Sequence, residues 1–359
     1  MGSSLHTEPT PLMLYLSGLN STYIVAEPAP LEQRTGGLSA ERGQKGMTAR
    51  ITTPFGAQST ASEVIAGVDL TGRRAIVTGG AGGLGRETAR ALASAGADVT
   101  IAARNREAAN GAAQEITAET GNPQVHGAVL DLADLASVTE FVKNWTGPLD
   151  ILVNNAGIMA TPEQHTPEGR ELQFATNHLG HFALTVGLHD ALKDSGSARV
   201  AVLSSVGHVN GPVRFEDLDF TKEPYDPWLA YAQSKTANVL FAVEAAKRWA
   251  GDGIAVNALN PGRIRDTNLG RHLAAPPASF DPSGKTGVSE KNVAQGAATS
   301  VLLAASPLVE GVTGKYFEDC QEALPFTPGV RRGVADYALD PDNARRLWDV
   351  SVELTGIGR

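Results

Sequence analysis

From Arg73 onward, the chain alternates short apolar runs with longer stretches in which apolar residues recur at helical spacing. Each short run predicts a buried strand, because strands covered on both faces are almost wholly apolar. The runs lie at 75–77, 99–102, 125–130, 149–153, 199–203, 254–258 and 315–317. The helical stretches lie at 86–95, 107–120, 135–145, 168–193, 231–250, 289–305 and 342–354. This alternation predicts an α/β fold, a Rossmann-type doubly wound parallel sheet in a single domain.

The N-terminal part of the chain lacks this alternation. Residues 1–46 carry scattered Pro, Gly, Ser and Thr without a sustained apolar period, which predicts a disordered N-terminal extension. Such an extension is either foreign to the native protein or the result of an over-extended start, and Met47 is then the natural beginning. Residues 47–70 are predicted to form a surface lead-in segment with a short helix around 62–67. The Rossmann-fold domain is therefore expected to span 71–359.

A glycine-rich loop joins the first predicted strand to the first helix. Thr78 is followed there by Gly-Gly-Ala-Gly-Gly-Leu-Gly. Glycines let the backbone turn tightly and approach a pyrophosphate, which rests on the N-terminus of the following helix. The residues expected to bind a dinucleotide are Gly79, Gly83, Leu84 and Gly85. An ordinary glycine-rich turn is the alternative, but the strand–loop–helix context favours binding. The lack of Gly-Lys-Ser/Thr in the loop disfavours a nucleoside-triphosphate site.

The end of the second predicted strand indicates which dinucleotide is bound. An acidic residue normally bonds the adenosine ribose at this point. Here the strand ends Ala102-Ala103-Arg104-Asn105, so the acid is absent and a cation follows. A cation at this point favours a ribose 2′-phosphate. The sequence therefore predicts NADP(H) as the cofactor, with Arg104 and Asn105 as contacts. The alternative is a solvated surface arginine.

Tyr231 and Lys235 lie four positions apart in a helical stretch without internal Gly or Pro. Residues at i and i+4 share one helix face, so the phenol and the ammonium are expected to point into the same small volume. Because a fixed cation favours the phenolate, we expect Lys235 to lower the pKa of Tyr231 from about 10. Tyr231 could then donate or accept a proton near neutral pH. Such pairs also recur by chance on ordinary helices. The interpretation of this pair as a site therefore depends on the nucleotide-binding half that is predicted upstream.

Composition narrows the choice of partners. The net charge of −9 argues against nucleic acid or an anionic membrane surface as the main partner. The single cysteine rules out an internal disulfide and a cysteine zinc cluster, and it fits a reduced, cytoplasmic setting. No apolar run approaches the ~20 residues of a membrane helix, so no membrane span is expected. His178 and His181 have no nearby carboxylate or cysteine pattern, so we expect packing histidines and no metal site.

Further motifs stand in order at the predicted strand ends: Asp131-Leu132, Asn154-Asn155-Ala156-Gly157, Ser204-Ser205 and Pro261-Gly262-Arg263-Ile264. With the glycine loop and the Tyr231–Lys235 pair, they resemble the short-chain dehydrogenase/reductase family over roughly 70–356. The resemblance implies further cofactor contacts at Asp131, Leu132, Asn155, Ala156, Gly157, Pro261, Gly262 and Ile264. Taken alone, Asp131 could equally cap a helix. The stretch 265–267 departs slightly from the usual spacing, so Thr267 receives no assigned contact.

The same resemblance implies a catalytic set made of Asn177, Ser205, Tyr231 and Lys235. For carbonyl reduction, Ser205 donates a hydrogen bond to the carbonyl oxygen and Tyr231 protonates that oxygen. Lys235 holds the nicotinamide ribose, and Asn177 holds a water of a proton relay behind Lys235. Tyr231 and Lys235 are thus also cofactor contacts. The cofactor carries the hydride, and the reverse oxidation uses the same residues. Taken alone, Asn177 could be a mid-helix polar residue and Ser205 a structural serine.

Two segments are similar to retinol-dehydrogenase-like members of the family. One is the long connection between Ser205 and Tyr231, including 215–218, and the other is the motif at 177–182. This likeness suggests a small-molecule substrate that is a lipophilic ketone or aldehyde, or the corresponding alcohol. The family resemblance also implies a homodimer or homotetramer, associated through the two long helices after the fourth and fifth strands.

Two other functions fit part of the sequence. A non-catalytic NADP-binding sensor or scaffold would keep the glycine loop, but it would not need an intact Asn177, Ser205, Tyr231 and Lys235 set. A nucleotide-sugar epimerase or dehydratase usually carries a larger C-terminal substrate domain than the residues after Pro261 offer. Turnover of carbonyl compounds by the purified protein with NADPH separates the enzyme from the sensor.

Overall fold

Residues 50–264, 267–270 and 290–358 are described by this computed structural model, and they contain ten strands. The strands are β1 (Arg74–Thr78), β2 (Asp98–Ala103), β3 (Val125–Val129), β4 (Ile151–Asn154), β5 (Ala198–Leu203), β6 (Ile254–Asn260), β7 (Arg263–Ile264), β8 (Glu290–Lys291), β9 (Tyr316–Glu318) and β10 (Gln321–Glu322). Eight of them form one sheet in the order β10-β9-β6-β5-β4-β1-β2-β3. Every neighbouring pair in it is parallel except β9 and β10, and β7 pairs separately with β8.

The helices of the described residues lie between these strands and after them. They are α1 (Ala61–Ile65), α2 (Gly83–Ser94), α3 (Arg106–Thr120), α4 (Leu135–Asn144), α5 (Leu172–Phe174), α6 (Gly180–Gly187), α7 (His189–Asp194), α8 (Pro227–Arg248), α9 (Val293–Ala305), α10 (Asp336–Leu339) and α11 (Pro341–Thr355). A π-helical turn, Ala175–Leu179, joins α5 to α6, and a 3-10 turn, Val206–Asn210, follows β5. None of the helices described is long and apolar enough to cross a membrane.

The sheet is buried on both faces. Ala75 and Val77 of β1 belong to a hydrophobic cluster with α1, α2, α3 and α9, whereas Ile76 belongs to a cluster with α4, α6, α8 and α11. Because successive strand side chains point to opposite faces, these two helical layers cover opposite sides of the sheet. The predicted Rossmann-type doubly wound α/β fold is confirmed.

Helix α8, which carries Tyr231 and Lys235, begins at Pro227, so the predicted start at Tyr231 is wrong. The Asp226 side chain accepts hydrogen bonds from the backbone N–H groups of Trp228 and Leu229, at 2.8 and 2.9 Å. Proline is well suited to the first helical position, because its missing N–H would have no partner there. This Asp-Pro start places Tyr231 one turn inside the helix, on regular backbone.

The single long helix predicted over 168–193 is also wrong. The Glu171 side chain accepts hydrogen bonds from two backbone N–H groups and starts α5, so the helical path begins later than predicted. The π-helical turn then interrupts the α-helical pattern around Asn177, and Leu188 leaves helical geometry between α6 and α7. Single-turn π segments are frequent at functional sites. The π-helical turn therefore indicates that the backbone around Asn177 is part of a candidate functional site.

The predicted surface lead-in includes a helix that is part of the core. Helix α1 starts with a capping box in which the Thr60 hydroxyl and the Glu63 carboxylate bond each other's backbone N–H groups. Its residues Ala61, Val64 and Ile65 are buried in the cluster that contains α9. The short helix is thus confirmed, but the prediction that this stretch lies on the surface is wrong, because one face of α1 packs inward.

We expect a truncation that starts at Met47 to keep the melting temperature and activity of the full chain. Residues 1–46 lack an apolar period that could dock on a core, and they lie outside the described residues. A matched truncation starting at Gly67 removes α1 and should lower the Tm by more than ~5 °C. Burial of side chains the size of Val64 and Ile65 is worth about 3–6 kcal/mol together. Thermal melts of both truncations check this, and a large Tm loss in the first would show that the extension is structural.

Two boundaries near the C-terminus differ from the predictions for local reasons. Helix α9 begins at Val293 and not at 289, because Asn292 and Gln295 form a capping box there. Strand β10 was not predicted, because the turn that precedes it contains no glycine. That turn instead holds Asp319 and Cys320 in the left-handed region, at φ 51° and 61°.

The C-terminal helix α11 covers the face through which association was predicted. Trp348 lies with its ring centroid 5.1 Å from that of Phe182 on α6 and 6.0 Å from that of Phe241 on α8. A second copy cannot reach this surface of α6 and α8 while α11 occupies it. The predicted route of association is therefore wrong, and a homo-oligomer formed through another face stays a prediction.

Candidate active site

The carboxyl ends of β1, β4, β5 and β6 open into one cavity of about 1050 Å³. Ligands in open parallel sheets bind at this edge, where the strand order reverses. The predicted site residues that line the cavity are Gly79, Gly83, Leu84, Gly85, Arg104, Leu132, Asn155, Ala156, Gly157, Ser205, Tyr231, Lys235, Pro261, Gly262 and Ile264. Segments far apart in the chain are thus brought together around one volume.

The glycine loop is held close to the end of β4, which explains two of its glycines. Gly79 has φ 66°, and a Cβ at this position would lie 2.9 Å from the Cα of Ala156. A Cβ on Gly85 would collide with the backbone oxygen of Gly79 and the side-chain amide of Asn155. Gly82, the N-cap of α2, supplies no side chain to the first N–H groups of the helix. The loop therefore presents bare backbone and a helix N-terminus to the cavity, which suits an anion.

Three predicted residues lie outside the cavity lining. The Asn105 side chain caps α3 by accepting a hydrogen bond from the N–H of Ala108 at 2.8 Å. Asp131 accepts one from the N–H of Ala133 at 3.0 Å in the turn before α4, and the N-cap of that helix is Asp134, so the helix-cap alternative for Asp131 is wrong. Asn177 is buried behind the cavity wall. At the end of β2, where the adenosine of a bound dinucleotide would lie (the adenosine end), the cavity is lined by Ala103 and the exposed Arg104.

Thr78, at the end of β1, organises the strand ends, and sequence reasoning assigned it no role. Its hydroxyl oxygen accepts hydrogen bonds from the backbone N–H groups of Asn155 and Ala156, at 2.9 and 3.0 Å. It also lies 2.8 Å from Nε2 of His181, whose Nδ1 lies 3.0 Å from the carbonyl oxygen of Asn177. The chain Thr78–His181–Asn177 thus ties the glycine loop to the π-helical turn. A threonine directly before the glycines is the only local signal for this role.

The two histidines of the 177–182 motif are buried and neutral. His178 packs among Phe174, Phe182 and Phe241, and its Nε2 lies 2.8 Å from the Ser351 hydroxyl. Burial lowers the pKa of His178 to about 3 and that of His181 to about 4, because an imidazolium is poorly solvated there. The prediction of packing histidines is confirmed by these contacts.

Asn177 connects the π-helical turn to the β4 end and to α8. Its Nδ2 donates to the carbonyl oxygen of Ile158 at 2.9 Å and to the Ser234 hydroxyl at 3.0 Å. Its Oδ1 accepts from the N–H of Ile158 at 2.9 Å. A Cβ built on Gly157 would lie 3.2 Å from this Oδ1 and 3.5 Å from Nζ of Lys235. Both polar atoms therefore face the small space that Gly157 leaves open.

Ser205, Tyr231 and Lys235 meet in the cavity wall. Ser205 follows β5, and its hydroxyl accepts a hydrogen bond from the N–H of Gly207 at 3.0 Å. A Cβ built on Gly207 would lie 3.4 Å from Oγ of Ser205 and 2.8 Å from Cε1 of Tyr231, so the two side chains are neighbours in this wall. Nζ of Lys235 donates to the carbonyl oxygen of Leu203 at 3.1 Å and lies 5.8 Å from the centroid of the Tyr231 ring. The structure thus brings together a hydrogen-bond donor, a phenol and an ammonium.

The pKa of Tyr231 differs from the prediction. Burial raises it to about 12, because a phenolate is poorly solvated in the wall, and the neighbouring Ser205 side chain offsets this only in part. Burial also lowers the pKa of Lys235 to about 8. The predicted lowering of the Tyr231 pKa is therefore wrong for this structure, in which burial is the largest influence and Nζ of Lys235 lies 5.8 Å from the centroid of the ring.

Gly207 is a second residue that sequence reasoning missed. A Cβ there would lie 2.8 Å from Cε1 of Tyr231, so the ring packs directly against the backbone of the 3-10 turn. We expect Gly207→Ala to displace the phenol and lower kcat by about 10- to 100-fold, because small misplacements of reacting groups are costly. Gly211→Ala is the matched control, since its nearest neighbour would be 3.9 Å away. Steady-state rates of the two variants check this, and wild-type kcat in Gly207→Ala would contradict it.

The segment after β6 closes the cavity beside the glycine loop. The Asn260 side chain holds the N–H of Gly262 at 3.1 Å, and the pairing of β7 with β8 fixes the strand that follows. Thr267, which had no assigned contact, lines the cavity, and its Cγ2 would lie 3.5 Å from a Cβ on Gly83. Arg265, Asp266 and residues 271–289 lie outside the described residues.

Further residues of the cavity lining were not predicted, among them Met159, Val206, Asn210, Trp228, Leu269 and Arg331. Val206 follows Ser205 directly, and the centroid of the Trp228 ring lies 6.4 Å from that of Tyr231. Four of these side chains are apolar, and Arg331 is supplied by the segment between β10 and α10. No sequence pattern links these positions, because they come from five separate segments of the chain.

Comparisons with known proteins agree with this geometry. A protein of Streptomyces lividans named "Probable oxidoreductase" is 56% identical over 300 residues, which is 81% of this chain and 100% of that protein. Retinol dehydrogenase 13 of Mus musculus is 41% identical over 296 residues, 80% of this chain and 85% of that protein.

Solved structures show the same architecture. The crystal structure of an uncharacterised protein from Mycobacterium Paratuberculosis matches with a TM-score of 0.65 and 34% identity, over 84% of this chain and 98% of that chain. A gluconate 5-dehydrogenase from Burkholderia cenocepacia J2315, in complex with NADP and tartrate, matches with a TM-score of 0.56 and 27% identity, over 69% of this chain and 94% of that chain.

The family described as short chain dehydrogenase matches residues 73–277. This range contains the glycine loop, the polar motifs at the ends of β4, β5 and β6, and the Tyr231–Lys235 pair. More than half of the chain therefore follows the family pattern, and the retinol dehydrogenases are among its relatives. The chain belongs to the short-chain dehydrogenase/reductase family, in its retinol-dehydrogenase-like branch.

Proposed function

We propose that the protein is an NADP(H)-dependent oxidoreductase that interconverts a lipophilic ketone or aldehyde with its alcohol. Its family makes it a dehydrogenase or reductase that acts on CH–OH groups with a nicotinamide cofactor. The observation that carries the finer proposal is the meeting of Ser205 and Tyr231 beside Gly207 in the cavity wall, with Lys235 one helical turn further along α8.

The residues around the cavity fit a dinucleotide. The backbone of the glycine loop leaves no room for a Cβ at Gly79 or Gly85, and the uncapped N-terminus of α2 faces the same space. These features match a pyrophosphate, whose charge the helix N-terminus stabilises. Leu132, Ala156, Pro261 and Ile264 add apolar walls for the flat rings of such a cofactor.

NADP(H) is favoured over NAD(H) by the charges at the adenosine end. Arg104 reaches the cavity with its exposed guanidinium, and no Asp or Glu lines the cavity among the described residues. An acid at this point would repel a ribose 2′-phosphate, whereas an arginine fork can bond its oxygens. The related gluconate 5-dehydrogenase was crystallised with NADP, which is consistent with this assignment.

The proposed roles of the chain follow from the contacts at the other end. When bound, the cofactor supplies or accepts the hydride. Ser205 orients the substrate oxygen by hydrogen bonding, and Tyr231, as the neighbouring phenol, gives that oxygen a proton during reduction. A pKa raised to about 12 keeps the phenol protonated at neutral pH, which is the form that reduction requires. The Lys235 ammonium lies 5.8 Å from the centroid of the Tyr231 ring, and its proposed role is to hydrogen-bond the cofactor ribose.

Asn177 is proposed to hold a water of the proton relay. Its two amide protons are used by Ile158 and Ser234, and among the described residues its Oδ1 accepts one hydrogen bond, from the N–H of Ile158. The second lone pair and Nζ of Lys235 both face the space beside Gly157. A water there could bond both groups, and a buried water needs two to four such partners.

The rival function is a non-catalytic NADP-binding sensor or scaffold. A sensor needs the glycine loop and Arg104, but it has no use for a serine and a tyrosine aimed at one substrate oxygen. We expect purified protein with NADPH to reduce members of a panel of aromatic and long-chain aldehydes and ketones, measured as loss of NADPH absorbance. Saturable NADPH binding without consumption across the panel would favour the sensor.

A further inference from the structure

The cavity is positively charged in a chain whose net charge is −9. Its described lining contains the cations Arg104, Lys235, Arg263 and Arg331 and no carboxylate. Arg104 lies at the adenosine end, and Lys235 belongs to the proposed catalytic set. Arg331 belongs to neither group, and the proposed chemistry and cofactor give it no role.

Arg331 lies at the substrate end of the cavity. Its Nη1 donates a hydrogen bond to Oδ1 of Asn210 at 3.1 Å. Asn210 ends the 3-10 turn that begins directly after Ser205, and both Asn210 and Arg331 line the cavity. The segment that carries Arg331 is held against this turn, because His208 accepts a hydrogen bond from the N–H of Ala335 at 3.2 Å. The guanidinium is thus positioned on the same wall as the proposed catalytic serine.

No carboxylate of the described residues neutralises Arg331. The next residue, Arg332, pairs with Asp319 at 2.7 Å and with Glu318 at 3.6 Å, whereas Arg331 has one polar partner in the described part of the chain, the neutral amide of Asn210. Partial burial lowers the pKa of Arg331, and no acid of the described residues offsets that cost. A cation held in a cavity wall without an anion is well placed to pair with a ligand.

The surroundings of Arg331 indicate what kind of ligand this is. Met159, Val206, Trp228 and Leu269 line the same cavity as Arg331 and give it apolar surface. One guanidinium and one amide match a single negative charge spread over two oxygens. A phosphate monoester, with up to two charges and three free oxygens, would call for more donors than this pair offers.

We propose that Arg331 and Asn210 bind a carboxylate at the far end of the substrate, so that the preferred substrates are apolar oxo acids and the matching hydroxy acids. The proposal rests on the proposed carbonyl-reducing function and narrows its substrate class. The carbonyl end of such a molecule would lie at Ser205 and Tyr231, its apolar body against Trp228 and Met159, and its carboxylate at Arg331. Arg331 is then a specificity-determining residue.

A binding measurement tests the anion site without requiring turnover. Calorimetric titration of NADP-saturated enzyme with 4-phenylbutanoate and with 4-phenylbutanamide compares two ligands that differ only in charge. A charge-assisted pair at a half-buried site predicts about tenfold or more tighter binding of the carboxylate. Arg331→Met should bring this ratio close to one, and Arg331→Lys should retain part of it. Arg345→Met, on the exposed face of α11 with only Asp342 as its partner, is the control that should keep the ratio.

Several outcomes overturn the proposal. One is a ratio of carboxylate to amide affinity that is the same in wild type and Arg331→Met. A second is the loss of that affinity ratio in the Arg345→Met control. A third is the lack of measurable carboxylate binding to wild type. High salt should weaken the binding of the carboxylate and leave the binding of the amide unchanged, because it screens only the charged contact.

A turnover measurement separates this proposal from the function on which it rests. The substrates are 4-(4-formylphenyl)butanoate and its methyl ester, compared by kcat/KM with NADPH. We expect wild type to favour the acid by about tenfold and Arg331→Met to lose that preference. Reduction of both aldehydes with equal kcat/KM in wild type would leave carbonyl reduction standing and overturn the carboxylate site. If neither aldehyde is reduced while carboxylate binding depends on Arg331, the reductase function fails and the anion site stands.

Discussion

Replacing Tyr231 by phenylalanine is expected to lower the rate of carbonyl reduction by roughly 10²–10⁴-fold, the range typical of general acid catalysis. Phenylalanine keeps the buried ring, whose centroid lies 6.4 Å from that of Trp228, and removes only the hydroxyl. The cavity for the cofactor is unchanged, so NADPH should bind as in wild type. Stopped-flow rates and a fluorescence titration with NADPH measure the two quantities separately.

The matched control for this variant is Tyr225→Phe. The Tyr225 hydroxyl is also partly buried and donates to the carbonyl oxygen of Thr161 at 3.0 Å, but it does not line the cavity. Loss of this hydroxyl should cost some stability and little activity. Near-normal kcat in Tyr231→Phe, or an equal loss in both variants, would show that the phenol is not the proton donor.

Arg104→Ala is expected to raise KM for NADPH by about 10-fold and to leave KM for NADH nearly unchanged. A hydrogen bond to a charged group is worth roughly 1.5–3 kcal/mol, or about 10- to 150-fold in affinity. The Arg104 side chain is exposed, so solvent and salt place the effect at the low end of that range. The measurement is kcat/KM with both cofactors, in wild type and in the variant.

Arg106→Ala controls for a general loss of positive charge. Arg106 is exposed two positions further along, at the start of α3, and does not line the cavity. Its removal should leave the preference between the two cofactors intact. A wild-type preference for NADH, or an Arg104→Ala variant that still favours NADPH to the same degree, would remove the basis for NADP(H) as the cofactor.

The features that could be predicted from the sequence are those with a local signal. A glycine loop between an apolar run and a helix, and polar motifs directly after later runs, place their residues at one edge of a parallel sheet once the strand pattern is known. The α/β fold class and the placing of Ser205, Tyr231 and Lys235 on one cavity wall follow from such signals. Helix starts were less well predicted, because caps such as Asp226 and Asn292 lay within segments interpreted as loops or as helix.

The remaining features depend on tertiary contacts. The pKa of Tyr231 is set by burial under other segments, which a pair of residues on one helix does not reveal. The link from Thr78 to His181 and the contact between Gly207 and Tyr231 join residues that share no pattern in the chain. Arg331 reaches the cavity only because its segment packs on the 3-10 turn after β5.

The central claim is that hydride passes from NADPH to a carbonyl carbon in this cavity while Tyr231 supplies the proton. Its most direct test uses NADPH that carries deuterium at C4 of the nicotinamide on one face or the other, with an aromatic aldehyde as substrate. Mass spectrometry of the alcohol should show one deuterium on the carbinol carbon with one of the two labelled cofactors, in wild type but not at a comparable rate in Tyr231→Phe. An alcohol without deuterium from either labelled cofactor, or equal rates in the two proteins, would contradict the account.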